Sequence, residues 1–287
     1  LSVAIVTDSS AYLSPDEIEK YHIKVLSIPV IIDGTVYQEG IDLPTDTFYE
    51  KLRTAKTFPS TSQPALGDTL KVYEDLANEG YDTVLSIHLS STISGFFNTL
   101  TTMAPEIHAL RVIPYDSGIT IRLMGYLVIE AAIMARRGAT VEEITTKLDQ
   151  LKQTMNEVFI VNDLQNLVRG GRLSNTSAFV GSMLKIKPLL TFDAQTNQIT
   201  AFEKVRALRK AYHRAEEIFA ADLAKSTQPL RLLVVHANDE PAAQAWADEL
   251  TEKFPNVTIE ITYFGPVIGV HLGEKAIAIA WMADIFA

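Results

Sequence analysis

Two hydroxyl-rich segments carry the chemistry most readily read from this chain, Ser60-Thr61-Ser62-Gln63-Pro64 and Ser90-Ser91-Thr92-Ile93-Ser94-Gly95. Each is expected to open a helix, with Pro64 as the first helical residue of one and Ser94 placed similarly in the other. A helix start offers backbone N–H groups and the positive end of the helix dipole, and Ser and Thr hydroxyls add neutral donors. That combination suits an anionic head group, a carboxylate or a phosphate. Capping accounts for one hydroxyl per helix. Six hydroxyl side chains lie within Ser60 to Ser62 and Ser90 to Thr92, and Ser94 is a seventh, which exceeds what two caps require.

A second candidate is Arg169-Gly170-Gly171-Arg172-Leu173-Ser174, two arginines around a glycine pair ahead of a helix that Ser174 would cap. The planar guanidinium fork binds carboxylate or phosphate, whereas Gly-Gly by itself marks a surface turn. His271 stands alone in a glycine-punctuated apolar turn, Gly265 to Gly273, and the other histidines are scattered, so no metal site is expected. A serine hydrolase or other small-molecule enzyme using Ser94 and His271 is the catalytic alternative. The nucleophile elbow argues against it, since Thr92 and Phe96 occupy the places where that turn needs glycine. A purely regulatory protein is a third class. No phosphate-binding loop of the G-x-x-x-x-G-K-[ST] form and no G-x-G-x-x-G after the first strand are present, so the chain has no obvious nucleotide site.

The elements that must position these residues follow from length and pattern. At 287 residues, 47% apolar and 21% charged, the chain has the composition of a globular protein and the length of two domains. Its formal charge of −10 opposes non-specific attraction to nucleic acid or an anionic bilayer, so any membrane contact is expected to be transient. The basic residues Arg169, Arg172, Lys185, Lys187, Lys204, Arg206, Arg209 and Lys210 gather in one stretch, which also fits a solvated face. Cysteine is absent, and the first residues read as a buried strand rather than a signal peptide, so a cytoplasmic location is expected.

Apolar β-branched runs at Val3 to Thr7, Val25 to Ile32, Thr83 to Leu89 and Arg111 to Tyr115 read as buried parallel strands. Helices alternate with them, one opened by Ser14-Pro15-Asp16-Glu17 in capping-box form and another at Thr45. Helices at about Ile119 to Arg137 and Val141 to Asn156, with Gly138 as a stop between them, mark the domain boundary. From Val158 a mixed pattern predicts strands at 159–161, 188–192, 198–203, 232–236, 257–263 and 276–281. The expected fold class is α/β with two packed domains, residues 1–156 built on a mainly parallel sheet flanked by helices and residues 157–287 mixed α/β. Ligands of such parallel sheets sit beyond the carboxyl ends of the strands, where both hydroxyl segments would share one edge.

The chain resembles the DegV family, fatty-acid-binding proteins that act as acyl carriers for bacterial fatty acid kinase. The resemblance spans essentially the whole chain through Thr7-Asp8-Ser9-Ser10, Thr61-Ser62-Gln63-Pro64, Ser90-Ser91-Thr92-Ile93-Ser94-Gly95, Arg169-Gly170-Gly171-Arg172, Ile186-Lys187-Pro188 and Gly265-Pro266-Val267-Ile268-Gly269-Val270-His271. It implies two α/β domains, the second closing a lipid pocket. It also implies a non-catalytic carrier whose fatty-acid carboxylate is held by Thr61 and Ser94, with Ser62 and Gly95 beside them and His271 near the head group. Arg169, Arg172, Arg206 and Arg209 match family arginines that serve the kinase partner. After the histidine the family often continues T-G-P-G, whereas this chain has Leu272-Gly273-Glu274-Lys275. The implied ligand is a long-chain fatty acid, with no other cofactor. Chain-length preference would depend on how Phe96, Phe97, Met103, Ile119, Met124, Phe179, Met183 and Phe264 pack, and most of these also read as ordinary core.

Overall fold

The computed structural model describes residues 2–174 and 186–287. The chain divides into two compact units, Leu1–Gln153 and Thr154–Ala287.

In the first unit β1 (Val3–Asp8) is buried at every position, as a strand covered on both faces must be. It leads through a single 3-10 turn (Ser9–Ala11) to α1 (Pro15–Tyr21). Ser14 and Glu17 form the expected capping box, and Glu17 also takes a two-pronged bond from Arg122 at 2.6 and 2.7 Å. There follow β2 (Lys24–Leu26), β3 (Pro29–Ile32), β4 (Thr35–Gln38), α2 (Thr45–Thr54), β5 (Ser60–Thr61), α3 (Leu66–Asn78), β6 (Thr83–His88), α4 (Phe96–Met103), β7 (Arg111–Asp116), α5 (Ile121–Arg136) and α6 (Val141–Lys152). Strands β2-β1-β6-β7 make a wholly parallel sheet, and β4-β3-β5 a small antiparallel one. Ala4 and Val6 of β1 and Val84 of β6 pack with Tyr73 and Leu76 of α3 and Phe96 and Leu100 of α4. Helix α5 packs on β1 and the turn after it. Gly125 permits the approach, since a Cβ there would lie 2.6 Å from the Ala11 carbonyl oxygen.

Several sequence expectations are corrected here. Val25 to Ile32 is two strands in different sheets, because Ser27 bonds the Glu39 carbonyl, Ile28 N–H bonds Ser9 Oγ, and Pro29 has no N–H for the parallel ladder. Ser60 and Thr61 do not open a helix. They pair with Ile31 and Val30, Ser62 N–H continues to the Pro29 carbonyl, and α3 starts only at Leu66. Helix α6 ends at Lys152, so Asn156 opens a strand of the second unit.

The second unit contains β8 (Asn156–Ile160), α7 (Gln165–Arg169), β9 (Lys187–Phe192), β10 (Ile199–Val205), α8 (Leu208–Lys225), β11 (Leu230–His236), α9 (Glu240–Lys253), β12 (Thr258–Tyr263), α10 (Pro266–Leu272) and β13 (Ile277–Ala283). Its six-stranded sheet runs β10-β9-β8-β13-β11-β12, antiparallel except for the β11/β12 pair. Helices α8 and α9 close a core around Phe219, Trp246 and Trp281. The segment Gly265 to Leu272, expected as a turn, is helical from Pro266, which fits the first helical position. No described helix is long and apolar enough to cross a membrane.

Candidate functional site

The first unit brings the two hydroxyl segments together. Gln63 Oε1 accepts from Thr99 Oγ1 of α4 at 3.0 Å, and a Cβ on Gly95 would lie 3.8 Å from Gln63 Nε2. Ser62 is exposed, Thr61 and Ser94 are half-buried, and Gly95 is exposed at the start of α4. This loop follows the carboxyl end of a parallel strand, β6, where ligands of such sheets bind.

The loop differs from a plain helix start in where its amides go. Leu89 N–H donates to Asp8 Oδ2 at 3.0 Å, Ser90 N–H to the Ile119 carbonyl at 2.8 Å and Ser91 N–H to Asp116 Oδ1 at 3.2 Å. Thr92 N–H bonds Ser90 Oγ, Ile93 and Ser94 N–H bond the Ser90 carbonyl, and Phe96 N–H bonds Ser94 Oγ. These amides are committed inside the unit. Some loop hydroxyls are engaged as well, Ser90 Oγ with Thr92 Oγ1 at 2.7 Å and Ser62 Oγ with the Gln63 carbonyl at 3.2 Å. Ser94 Oγ accepts at 3.3 Å from Phe96 and keeps its own proton to donate.

Beneath the loop runs a buried polar chain. Tyr73 OH and Ser86 Oγ are 2.8 Å apart, Ser86 Oγ and His88 Nε2 2.7 Å, and His88 Nδ1 and Asp8 Oδ2 3.0 Å. Asp8 Oδ1 accepts from Ser10 N at 3.0 Å and Ser10 Oγ at 2.6 Å, and Thr120 donates to Ser10 Oγ at 2.9 Å. Burial pushes the Tyr73 phenol up to about 12, so it stays protonated. Ser86, His88 and Asp8 have the bond order of a catalytic triad, yet each is 0% exposed, so no substrate reaches Ser86. The chain satisfies polar groups in the core and holds the loop above it. In the sequence His88 reads only as one of several scattered histidines. Its period-two spacing from Ser86 on a buried strand was the available signal.

In the second unit the arginine segment and His271, read separately in the sequence, adjoin. Gly170 ends α7, and a Cβ there would lie 2.6 Å from His271 Nδ1 of α10. Arg172 Nη1 donates to the Gly170 carbonyl at 2.5 Å. Burial, with the Arg172 charge adding to it, pushes the His271 imidazole down to about 3, so it is neutral at physiological pH. Arg169 is exposed and Arg172 half-buried. The helix expected after Ser174, together with Phe179, Met183 and Lys185, lies outside the described residues. Beyond His271, Gly273 has φ +78° and Glu274 accepts from Asn238 Nδ2 at 2.7 Å, which defines the turn where the family often has T-G-P-G. Arg206 and Arg209 lie elsewhere in the sequence order of this unit, at the β10 to α8 junction, both exposed, with Arg209 paired to Glu249 of α9 at 2.8 Å. Phe96, Ile119, Met124 and Phe264 are buried.

Comparison with known proteins agrees with this architecture. A family model described as an uncharacterised protein of the DegV family matches residues 2–284. A DegV domain-containing protein of Listeria monocytogenes is 45% identical over 280 residues, 97% of this chain and 98% of the relative. Among solved structures, DegV of Bacillus subtilis, described as a fatty acid binding protein, superposes with a TM-score of 0.90 at 39% identity, covering 99% of this chain and 100% of that one. A fatty acid binding DegV family protein of Streptococcus agalactiae gives a TM-score of 0.90 at 36% identity, covering 99% of each chain. With the match running through both units and all the motifs above, the chain belongs to the DegV family.

Proposed function

We propose that this protein binds a long-chain fatty acid, with the carboxylate on Thr61, Ser62, Ser94 and Gly95, and presents it to a separate fatty acid kinase for acyl-phosphate formation. The observation that carries the reading is the convergence of the two hydroxyl segments through Gln63 at the end of a parallel strand, in a chain whose relatives are described as fatty acid binding proteins. A tail of about fifteen methylenes contributes on the order of 10 kcal/mol when buried, at roughly 0.8 kcal/mol each. The head-group site then need only orient the carboxylate. Hydroxyl donors do this without the tight two-pronged grip of a guanidinium, which leaves an oxygen able to attack a phosphoryl group held by the kinase.

In this reading His271 hydrogen-bonds a ligand oxygen as a neutral imidazole, which adds no charge. Arg169 and Arg172, with Arg206 and Arg209, serve contact with the kinase or its phosphate. The hydrolase alternative at Ser94 and His271 is not favoured, since the solved structures this chain resembles are described as fatty acid binding proteins. Organic extraction and mass spectrometry of the purified native protein, with a heat-denatured control, tests the proposal. Near-stoichiometric long-chain fatty acid is the expected result. Absence of lipid, in protein that also fails to take up added fatty acid, overturns it.

A further inference from the structure

The hydroxyl loop is gripped from both sides. Strand β6 lies between β1 and β7 in the sheet, and the last residue of each neighbour is an aspartate, Asp8 and Asp116. Asp8 takes the N–H of Leu89 at 3.0 Å and Asp116 the N–H of Ser91 at 3.2 Å, so two carboxylates hold alternate amides at the root of the loop. Asp116 Oδ1 also accepts from Gly118 N–H at 2.9 Å. That shapes the Asp116 to Thr120 turn, which bonds β6 and its loop twice more, through Ser90 N–H to the Ile119 carbonyl at 2.8 Å and Ser117 N–H to the His88 carbonyl at 3.1 Å.

The turn ends at Ile121, whose φ of +57° is rare for a β-branched side chain. Such a conformation persists only where the surroundings over-determine it. Here Thr120 is tied to Ser10 and thence to Asp8. The loop is thus mounted on a rigid frame with an aspartate at each side.

We infer that Asp8 and Asp116 are positioning residues of the head-group site, setting the Ser94 hydroxyl for a carboxylate by fixing the backbone of Ser90 to Gly95. This rests on the head-group reading above. Asp8 is completely buried with four bonds to its carboxylate, so its loss threatens the fold; Asp116 is half-buried and is the better probe.

The test measures affinities of the delipidated full chain for palmitic acid and for palmityl alcohol, which share a tail and differ in the head group. Wild type binds the acid in preference to the alcohol, and Ser94→Ala reduces that preference. Asp116→Ala is expected to reduce the preference about tenfold, equivalent to about 1.4 kcal/mol, while leaving alcohol affinity unchanged. Asp116→Asn, whose carbonyl oxygen still accepts from both amides, restores it. If Asp116→Ala does not fold, Asp116→Glu, which displaces the same oxygens by a methylene, is expected to lower the preference in its place. Equal losses for acid and alcohol, or an unchanged preference, overturn the positioning role and leave Asp116 a structural clamp. A wild type without acid preference overturns the head-group reading itself, which separates the two failures.

Discussion

Replacing Glu157 with Gln tests how this fold keeps a carboxyl group inside the sheet of its second unit. Glu157 of β8 is 8% exposed, and its Oε1 accepts from Phe192 N–H at 2.7 Å and Thr191 Oγ1 at 2.8 Å. Burial outweighs these two bonds and pushes the carboxyl up to about 7, from an ordinary value of 4.5. Between those values the unfolded chain releases its proton and the folded chain keeps it, so the unfolded state binds fewer protons and stability falls as pH rises. Above the folded value the loss levels off. The full difference of about 2.5 pKa units corresponds to roughly 3 kcal/mol, of which about 2 kcal/mol accrues between about pH 5.5 and pH 8. Gln keeps an oxygen for both donors and does not titrate. Its stability relative to wild type is therefore expected to rise by about 2 kcal/mol across that interval, flattening above neutrality. Urea unfolding followed by tryptophan fluorescence is the suitable assay, because both tryptophans, Trp246 and Trp281, are buried in this unit. A wild-type-to-variant difference that stays constant with pH refutes the reasoning, since it would mean that Glu157 ionises alike in the folded and unfolded chain.

Three further variants probe the site and its scaffold. On the proposed function, Thr61→Ala with Ser94→Ala would remove two hydroxyl bonds to the carboxylate, worth about 1.5–3 kcal/mol each, against a tail contribution left intact; acyl-phosphate formation with the proposed kinase should fall more than retained lipid, and unchanged acyl-phosphate output from the folded double variant removes these residues from the head group. Arg172→Glu should weaken coupling to the kinase while bound lipid stays in place, measured by pull-down and lipid extraction, whereas loss of lipid would put the arginine in the pocket. Gly125→Ala drives a Cβ to 2.6 Å from the Ala11 carbonyl oxygen, a backbone atom that cannot swing aside. The overpacking should cost about 1–3 kcal/mol against about 1 kcal/mol gained in helix propensity, read as a lowered unfolding midpoint by circular dichroism; a raised midpoint would show that α5 shifts freely.

The alternation of β-branched runs and capped helices placed β1, β6, β7 and α1 of the first unit and β9 to β13 of the second to within about two residues, because buried strands and capping boxes leave local marks, whereas the Val25 to Ile32 run hides the change of sheet and the start of β8 reads as helix. Strand β4 left none on that pattern, as its residues are exposed or half-buried. The Asp33-Gly34 pair before it, both with positive φ, was the legible hairpin signal. The residue types of the candidate site were also legible, since hydroxyls clustered beyond the needs of capping stand out in any sequence. Their geometry was not. Ser60 and Thr61 became a strand because β3, some thirty residues earlier in the chain, accepted their pairing, a long-range contact that no local pattern encodes. The loop amides were claimed by Asp8 and Asp116, which lie 81 and 25 residues from their partners. Sequence chemistry thus determined which groups could meet an anion, while tertiary structure decided which of them remain available to it, because backbone N–H groups go to whichever acceptor the fold brings within 3 Å.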